Sequence, residues 1–274
     1  MGPGPRFELG IFGSTVRGKK ARFEFMALRN FLTNMEIEKF RMWLVKRGLS
    51  AKTIRDTLSY IQKKLNINNR HSVKAYRSFI KYINETYGVE LNELLKILKI
   101  PKTGIDLKVP SDKDILKSYR KIRRLGNKKR MDYFILLLSS GLRVADIVFF
   151  LKNEKEIIHN DEILVYKVAK ITKTKRAFYV FLTKRFEVDL DILSNLGYEY
   201  YIQMSKRHRL VKAKYIRKYV ATKLFSLGLS SEIVDFIQGR TPTSILTRHY
   251  LNLLSLAIRE YRKYADWLGD FLAS

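Results

Sequence analysis

The 274-residue chain contains no cysteine. A disulfide framework and a thiolate zinc centre are therefore excluded, and a reducing, cytoplasmic setting suits the composition. Histidine is scarce as well, with four scattered residues, and neither a metal nor any other cofactor is expected. No run of eighteen apolar residues occurs. The longest apolar stretches, "DYFILLLSSGL" and "LNLLSLAI", are too short to span a bilayer, so no membrane association is expected. The opening "MGPGPRFELGIFGSTVRGKK" lacks the apolar centre of a secretory signal. Acidic residues are also in short supply, 26 against 54 Lys and Arg, which gives a formal net charge of +28. Residues 1–110 hold 22 basic and 9 acidic residues, and residues 111–274 hold 32 and 17. An excess this large in both halves points to a shared polyanion, double-stranded nucleic acid. A membrane-surface protein would concentrate its charge on one amphipathic helix.

Apolar residues make up 46% of the chain, enough for at least one sizeable core. Residues 1–24, rich in Gly, Arg and Lys and without periodicity, are expected to form a disordered leader. Residues 25–100 read as a small helical domain. "MEIEKFRMWLVKRG" closes on Gly48, and "LSAKTIRDTLSYIQKKL" opens on Ser50 as N-cap. "NRHSVKAYRSFIKYINETYG" places Val73, Tyr76, Ile80 and Ile83 on one face. Arg70, Lys74, Arg77 and Lys81 form a basic stripe on the other, a candidate track for a phosphate backbone, with Lys52 and Arg55 of the preceding helix as the alternative. Two prolines and a glycine mark a linker over 101–110.

Residues 111–274 read as a larger, mostly helical domain with one β-hairpin. Ser111 caps "DKDILKSYRKIRRL", and "KKRMDYFILLLSSG" ends at Gly141. "EILVYKVAKI" and "RAFYVFL", rich in β-branched and aromatic residues, flank the polar turn "TKTK", which puts Lys173 and Lys175 at the hairpin tip. The fold class expected is mainly α with a small β-hairpin or sheet (α+β), two basic lobes forming a C-shaped clamp on duplex DNA.

Breaking a phosphodiester without a metal requires a nucleophile, cations for the non-bridging oxygens, and an acid for the departing sugar oxygen. The larger domain offers Arg143 with Asp146 three residues on, Lys173 in the hairpin turn, Lys214 and Arg217 one helical turn apart, Arg240 after Gly239, and Tyr250. A tyrosine hydroxyl, with its pKa of about 10, becomes a nucleophile at neutral pH only where cations surround it.

The ordered set "GLRVAD … TKTKR … KYIRK … QGRTPTSILTRHY" resembles the tyrosine recombinase (lambda-integrase-like) family across the whole larger domain. "GLSAKTIRDTLSYIQ" resembles that family's helical core-binding domain. The resemblance implies that Arg143 and Arg217 clamp the scissile phosphate, that Lys173 is the general acid with Lys175 as competitor, and that Tyr250 attacks. Two family histidines are replaced, by Lys214 and by Arg240. Arginine donates to phosphate but accepts no proton, and Lys214 acts as base only if its pKa is strongly depressed, so water or the substrate phosphate remain alternatives. These replacements are similar to those of archaeal fusellovirus-type integrases. That likeness implies a virus or plasmid integrase whose attachment site overlaps a tRNA gene, with the coding sequence of the leader constrained as DNA. The family implies a metal-independent 3′-phosphotyrosine intermediate and a tetramer on DNA. The terminal helix with Trp267, Leu268, Phe271 and Leu272 is a candidate docking element between subunits, with packing on its own domain as the equal alternative. Alternatives are a type IB topoisomerase-like activity and a non-catalytic DNA-binding protein that has kept the fold. Tyr261 is the rival nucleophile.

Overall fold

The computed structural model describes residues 33–102, 104–153, 155–171, 176–240 and 252–274. The chain divides into two compact units, Met1–Asp106 and Leu107–Ser274. The leader expected over 1–24, the hairpin tip with Lys173 and Lys175, and Tyr250 lie outside the described residues.

In the first unit, α1 (Asn34–Lys46), α2 (Ala51–Ile61), α3 (Arg70–Tyr87) and the short α4 (Asn92–Ile97) surround one core. Ser50 caps α2 as expected, its hydroxyl accepting from the Thr53 amide at 3.2 Å. On α3, Val73, Tyr76, Ile80 and Ile83 are all buried, as the 3.6-residue period requires. The core is aromatic at its centre. Phe40 lies 5.2 Å from Phe79 in an edge-on arrangement and 5.3 Å from Tyr82. Beside it the buried Glu36 accepts from Tyr82 at 3.0 Å and Tyr87 at 2.6 Å, and pairs with Lys39 at 2.9 Å. Burial pushes this carboxyl up, but the hydrogen bonds from Tyr87, Lys39 and Tyr82 outweigh it and hold the pKa below the ordinary range.

The second unit starts with α5 (Asp112–Arg124), opened by a capping box in which Ser111 and Asp114 exchange hydrogen bonds. The central α6 (Lys128–Ser140) is buried continuously from Asp132 to Ser140, the mark of a helix enclosed on all sides. α7 (Val144–Lys152) follows after a three-residue break. The sheet has three antiparallel strands in the order β1 (Glu156–Asn160), β2 (Ile163–Ile171) and β3 (Arg176–Thr183). Strands β2 and β3 are the expected hairpin. The edge strand β1 was not expected. Helices α8 (Leu190–Leu193), α9 (Glu199–Arg207), α10 (Ala213–Ser226), α11 (Ser231–Ile237) and α12 (Leu253–Ala273) complete the unit.

The terminal helix α12 packs on its own unit, one of the two placements the sequence left open. Leu268 and Leu272 are buried in the common core, and Trp267 stacks on Phe271 at 4.7 Å, against Tyr219 of α10. The Tyr261 hydroxyl donates to the Ser139 carbonyl at 2.9 Å and the Tyr264 hydroxyl to the Leu138 carbonyl at 2.8 Å. Tyr261 is fully buried, and that burial raises its pKa far above the ordinary tyrosine value, which removes it as a rival nucleophile. Among the described residues no single helix is long and apolar enough to cross a membrane.

Candidate active site

Three places in the second unit carry the arginines singled out in the sequence, two helix junctions and the first half of a helix. The first is the end of α6. Gly141 adopts the left-handed conformation, φ 58° and ψ 14°, which stops the helix and turns the chain. The same glycine is a point of close approach, because a β-carbon there would meet Val220 Cγ1 at 2.8 Å. Two residues later Arg143 is the N-cap of α7 in extended conformation, with no side-chain capping bond. Its guanidinium instead reaches forward, and Nη1 donates to Asp146 Oδ2 at 3.2 Å.

Asp146 is buried, 1% exposed, and a buried carboxylate is stable only when paired. Its second oxygen, Oδ1, accepts from Lys170 Nζ at 2.8 Å, and Lys170 also donates to the Ala145 carbonyl at 2.9 Å. One carboxylate thus links the arginine at the start of α7 to a lysine on β2. Sequence reasoning missed Lys170. Its place depends on a bulge between Lys167 and Lys170, where the β2–β3 register shifts by one residue. The nearest signal was the crowding of lysines in "KITKTK".

The second place is the first half of α10. Arg217 donates from Nη1 to the Gly141 carbonyl at 3.0 Å and from Nη2 to the Gln238 carbonyl at 2.9 Å. These oxygens close the C-termini of α6 and α11, where carbonyl groups lack helical partners and the helix dipole is negative. Gln238, fully buried, returns a bond from Nε2 to the Arg217 carbonyl at 2.8 Å. Those two carbonyls engage two of the guanidinium's five donors.

The third place follows α11. The Gly239 amide bonds the Phe236 carbonyl at 2.9 Å and the Arg240 amide bonds the Asp235 carbonyl at 2.8 Å, the double closure of a Schellman turn. Gly239 has φ 67°, so the turn sets where Arg240 leaves the helix. Its guanidinium pairs with Asp235 at 2.6 Å and remains half exposed.

The three arginines feel one another. Arg217 is drawn down to about 9, by burial first and then by the charges of Arg143 and Arg240, against the opposing pull of Asp146 and Asp235. A cluster of cations that depresses its own most buried member favours an added anion, and a phosphodiester has the charge and the acceptor oxygens to fill that role.

Lys214 sits exposed on the first turn of α10, its ammonium 4.5 Å from the centre of the Tyr215 ring. Lys108 and Lys218 face the same ring at 5.5 and 5.6 Å. Next to this aromatic lies a groove lined by Lys108, Lys117, Lys121, Arg209, Lys212 and Tyr215. Arg209 there has φ 49°, the one positive φ at a non-glycine among the described residues.

In the first unit the basic stripe divides in two. Lys74 and Lys81 are exposed. Arg77 is half-buried and donates to the carbonyls of Leu95 and of Leu98, the latter at 2.8 Å, closing the end of α4. Arg70 donates to the Pro101 carbonyl at 2.8 Å. Lys52 and Arg55 are exposed on α2.

A family model described as archaeal phage integrase matches residues 107–267. Among solved structures, that of XerA recombinase is 14% identical, with 84% of this chain and 98% of that chain covered at a TM-score of 0.37. The integrase from mycobacterium phage Brujita is 13% identical, with 83% and 91% covered at a TM-score of 0.36. No curated protein matches the chain.

Proposed function

This chain belongs to the archaeal phage integrase family, and from that premise we propose that it is a site-specific DNA recombinase that cuts and rejoins duplex DNA through a 3′-phosphotyrosine. The observation that carries the reading is Arg217. It is a partly buried guanidinium anchored on two helix ends, with Arg143 and Arg240 close enough to disfavour its charge. Such a site gains most when a phosphate enters it.

In the proposed reaction Arg143, Arg217 and Arg240 donate to the non-bridging oxygens of the scissile phosphate. The Tyr250 hydroxyl attacks phosphorus, forming the Tyr–O–P bond as the P–O5′ bond breaks, and Lys173 passes a proton to the departing O5′. Lys175 is its competitor for that role. With Lys214 exposed, its part is to contact phosphate, and the tyrosine proton goes to water or to a phosphate oxygen. Attack by the 5′-hydroxyl of a partner strand reverses the step and completes the exchange. Residues 111–274 make up the catalytic domain, and residues 25–100, through Lys52, Arg55, Lys74 and Lys81, hold flanking duplex. The working assembly is a tetramer on two attachment sites, one of them within a tRNA gene, and the element is an archaeal virus or plasmid.

A duplex with a nick beside the cleavage position traps the covalent adduct, which is read on a denaturing gel. The adduct is expected with the wild-type protein, with or without a chelator, and is expected to vanish in Tyr250→Phe. An undiminished adduct in that variant would remove Tyr250 as nucleophile. Absence of any adduct on element-junction substrates would favour a binding protein, and supercoil relaxation without pairing of two duplexes a topoisomerase.

A further inference from the structure

We propose that Lys170 is a positioning residue, which fixes Arg143 through the shared carboxylate of Asp146 and so couples the β2–β3 hairpin to the phosphate-binding cluster. The proposal rests on the recombinase reading for its catalytic consequence, but its geometric content stands apart from it.

The Lys170 side chain is 16% exposed and Asp146 is 1% exposed, whereas Arg143 retains 31%. The carboxylate is therefore shielded from water and satisfied by protein. Its two oxygens are divided between the two cations, Oδ1 for Lys170 at 2.8 Å and Oδ2 for Arg143 at 3.2 Å. The shorter contact belongs to the lysine. Arg143 is engaged through one Nη1 hydrogen, which leaves its guanidinium plane free to orient toward a ligand. Without the Lys170 ammonium, Arg143 becomes the nearest cation to a buried carboxylate. A guanidinium in that position closes on both oxygens in the parallel two-bond geometry it prefers. That turn carries its remaining donors inward, away from a phosphate.

Lys170 makes three contacts at this end of α7. It bonds the Ala145 carbonyl as well as Asp146, and its ammonium lies 5.3 Å from the Phe149 ring centre. It stands one residue before the end of β2, beyond the bulge. The hairpin that leads to "TKTK" is thereby tied to the helix start that carries Arg143. The reading gives two functions to one ion pair. Arg143 is held for phosphate, and the stem of the hairpin is held beside it.

The test uses the full chain and three substitutions. In Lys170→Met the side-chain Nε–H resonance of Arg143, followed by nitrogen-15 NMR without DNA, is expected to shift and sharpen as the guanidinium closes on Asp146. Lys170→Arg, which keeps the charge and the donors, is expected to restore the wild-type resonance. Strand cleavage by Lys170→Met is expected to fall on the order of a hundredfold in rate with duplex affinity nearly unchanged. The fall should be equal on ordinary DNA and on DNA with sulfur in place of the 5′-bridging oxygen. A thiolate leaves without a proton, so the sulfur substrate rescues only the loss of a proton donor.

An Arg143 resonance that is the same in Lys170→Met and wild type overturns the proposal, whether or not the protein cleaves DNA. Full rescue of Lys170→Met by the sulfur substrate overturns it in favour of Lys170 as the acid. If the wild-type chain forms no adduct on any duplex, the recombinase reading fails, and the NMR comparison decides the position of Arg143 by itself. Should Lys170→Met not fold, Lys170→Gln, neutral but still a donor, takes its place with the same expectations.

Discussion

Arg217 and Gln238 bind each other in both directions: the guanidinium donates to the Gln238 carbonyl at 2.9 Å, and the Gln238 amide donates to the Arg217 carbonyl at 2.8 Å. Gln238 is fully buried and Arg217 partly so, and the paired bonds satisfy groups that burial takes from water. The exchange locks the first half of α10 to the end of α11, where Arg240 leaves the fold. Arg217 is thus placed by the main-chain carbonyls that close two helices.

Lysine has no fork with which to bridge the Gly141 and Gln238 carbonyls while facing a phosphate. Arg217→Lys is therefore expected to keep the fold and to lose on the order of a hundredfold or more in strand cleavage. Circular dichroism and the adduct assay measure the two quantities, and retention of cleavage within a few-fold would contradict the anchoring role.

A side chain at Gly141 meets two obstacles, the left-handed backbone and Val220 Cγ1 at 2.8 Å. Gly141→Ala should cost about 2–4 kcal/mol in urea unfolding. Adding Val220→Ala removes the closest contact but leaves the backbone strain and opens space elsewhere, so recovery should be incomplete. Complete recovery would mean that the conformation of Gly141 carries no weight.

The two halves of the α3 stripe should behave differently. Arg77→Ala removes the closure of α4 and is expected to cost about 1–3 kcal/mol of stability in the first unit, with the salt dependence of DNA binding unchanged. Lys74→Ala with Lys81→Ala should leave stability alone and lower the slope of log affinity against log salt by about 1 per lysine. Salt titration and urea unfolding on the same samples separate these outcomes, and a slope that falls in Arg77→Ala instead would reverse the assignment.

Glu36 supplies a pH signature. Its folded pKa lies below the ordinary 4.5, so the unfolded chain binds the proton more readily through that window. The stabilisation it gives is complete above pH 4.5 and is lost as pH falls through the lowered folded value. Glu36→Gln should be about 1–3 kcal/mol less stable than wild type at pH 7, and the gap should narrow in acid. Thermal unfolding between pH 7 and 3 measures it, and a gap that widens in acid would contradict the hydrogen-bond assignment.

Local chemistry made part of this legible in advance. Ser50, Ser111 and Gly141 marked helix ends because caps and left-handed turns are decided within a few residues. Arg143 with Asp146 was readable for the same reason, at three residues' separation on one helix start. The edge strand β1 was not, because "EIIHN" alternates poorly and its pairing partner on β2 supplies the order. Lys170 was hidden because its partner lies 24 residues away in sequence and a bulge aims it. Arg77 read as a surface cation because its carbonyl partners belong to a short helix that shows little pattern of its own. The opposition among Arg143, Arg217 and Arg240 needed two helix ends and the inside of a third helix in one place, and no window of sequence contains all three.

The same opposition shapes how this protein tolerates change. Arg240 is half exposed and paired with a partly accessible Asp235, so that contact contributes little to folding. Its charge, meanwhile, disfavours the partly buried Arg217. Arg240→Gln should therefore leave the ligand-free chain as heat-resistant as before, or more so. Laboratory selection for thermal endurance alone would drift away from the cations proposed to hold phosphate, and selection that includes DNA is expected to retain them.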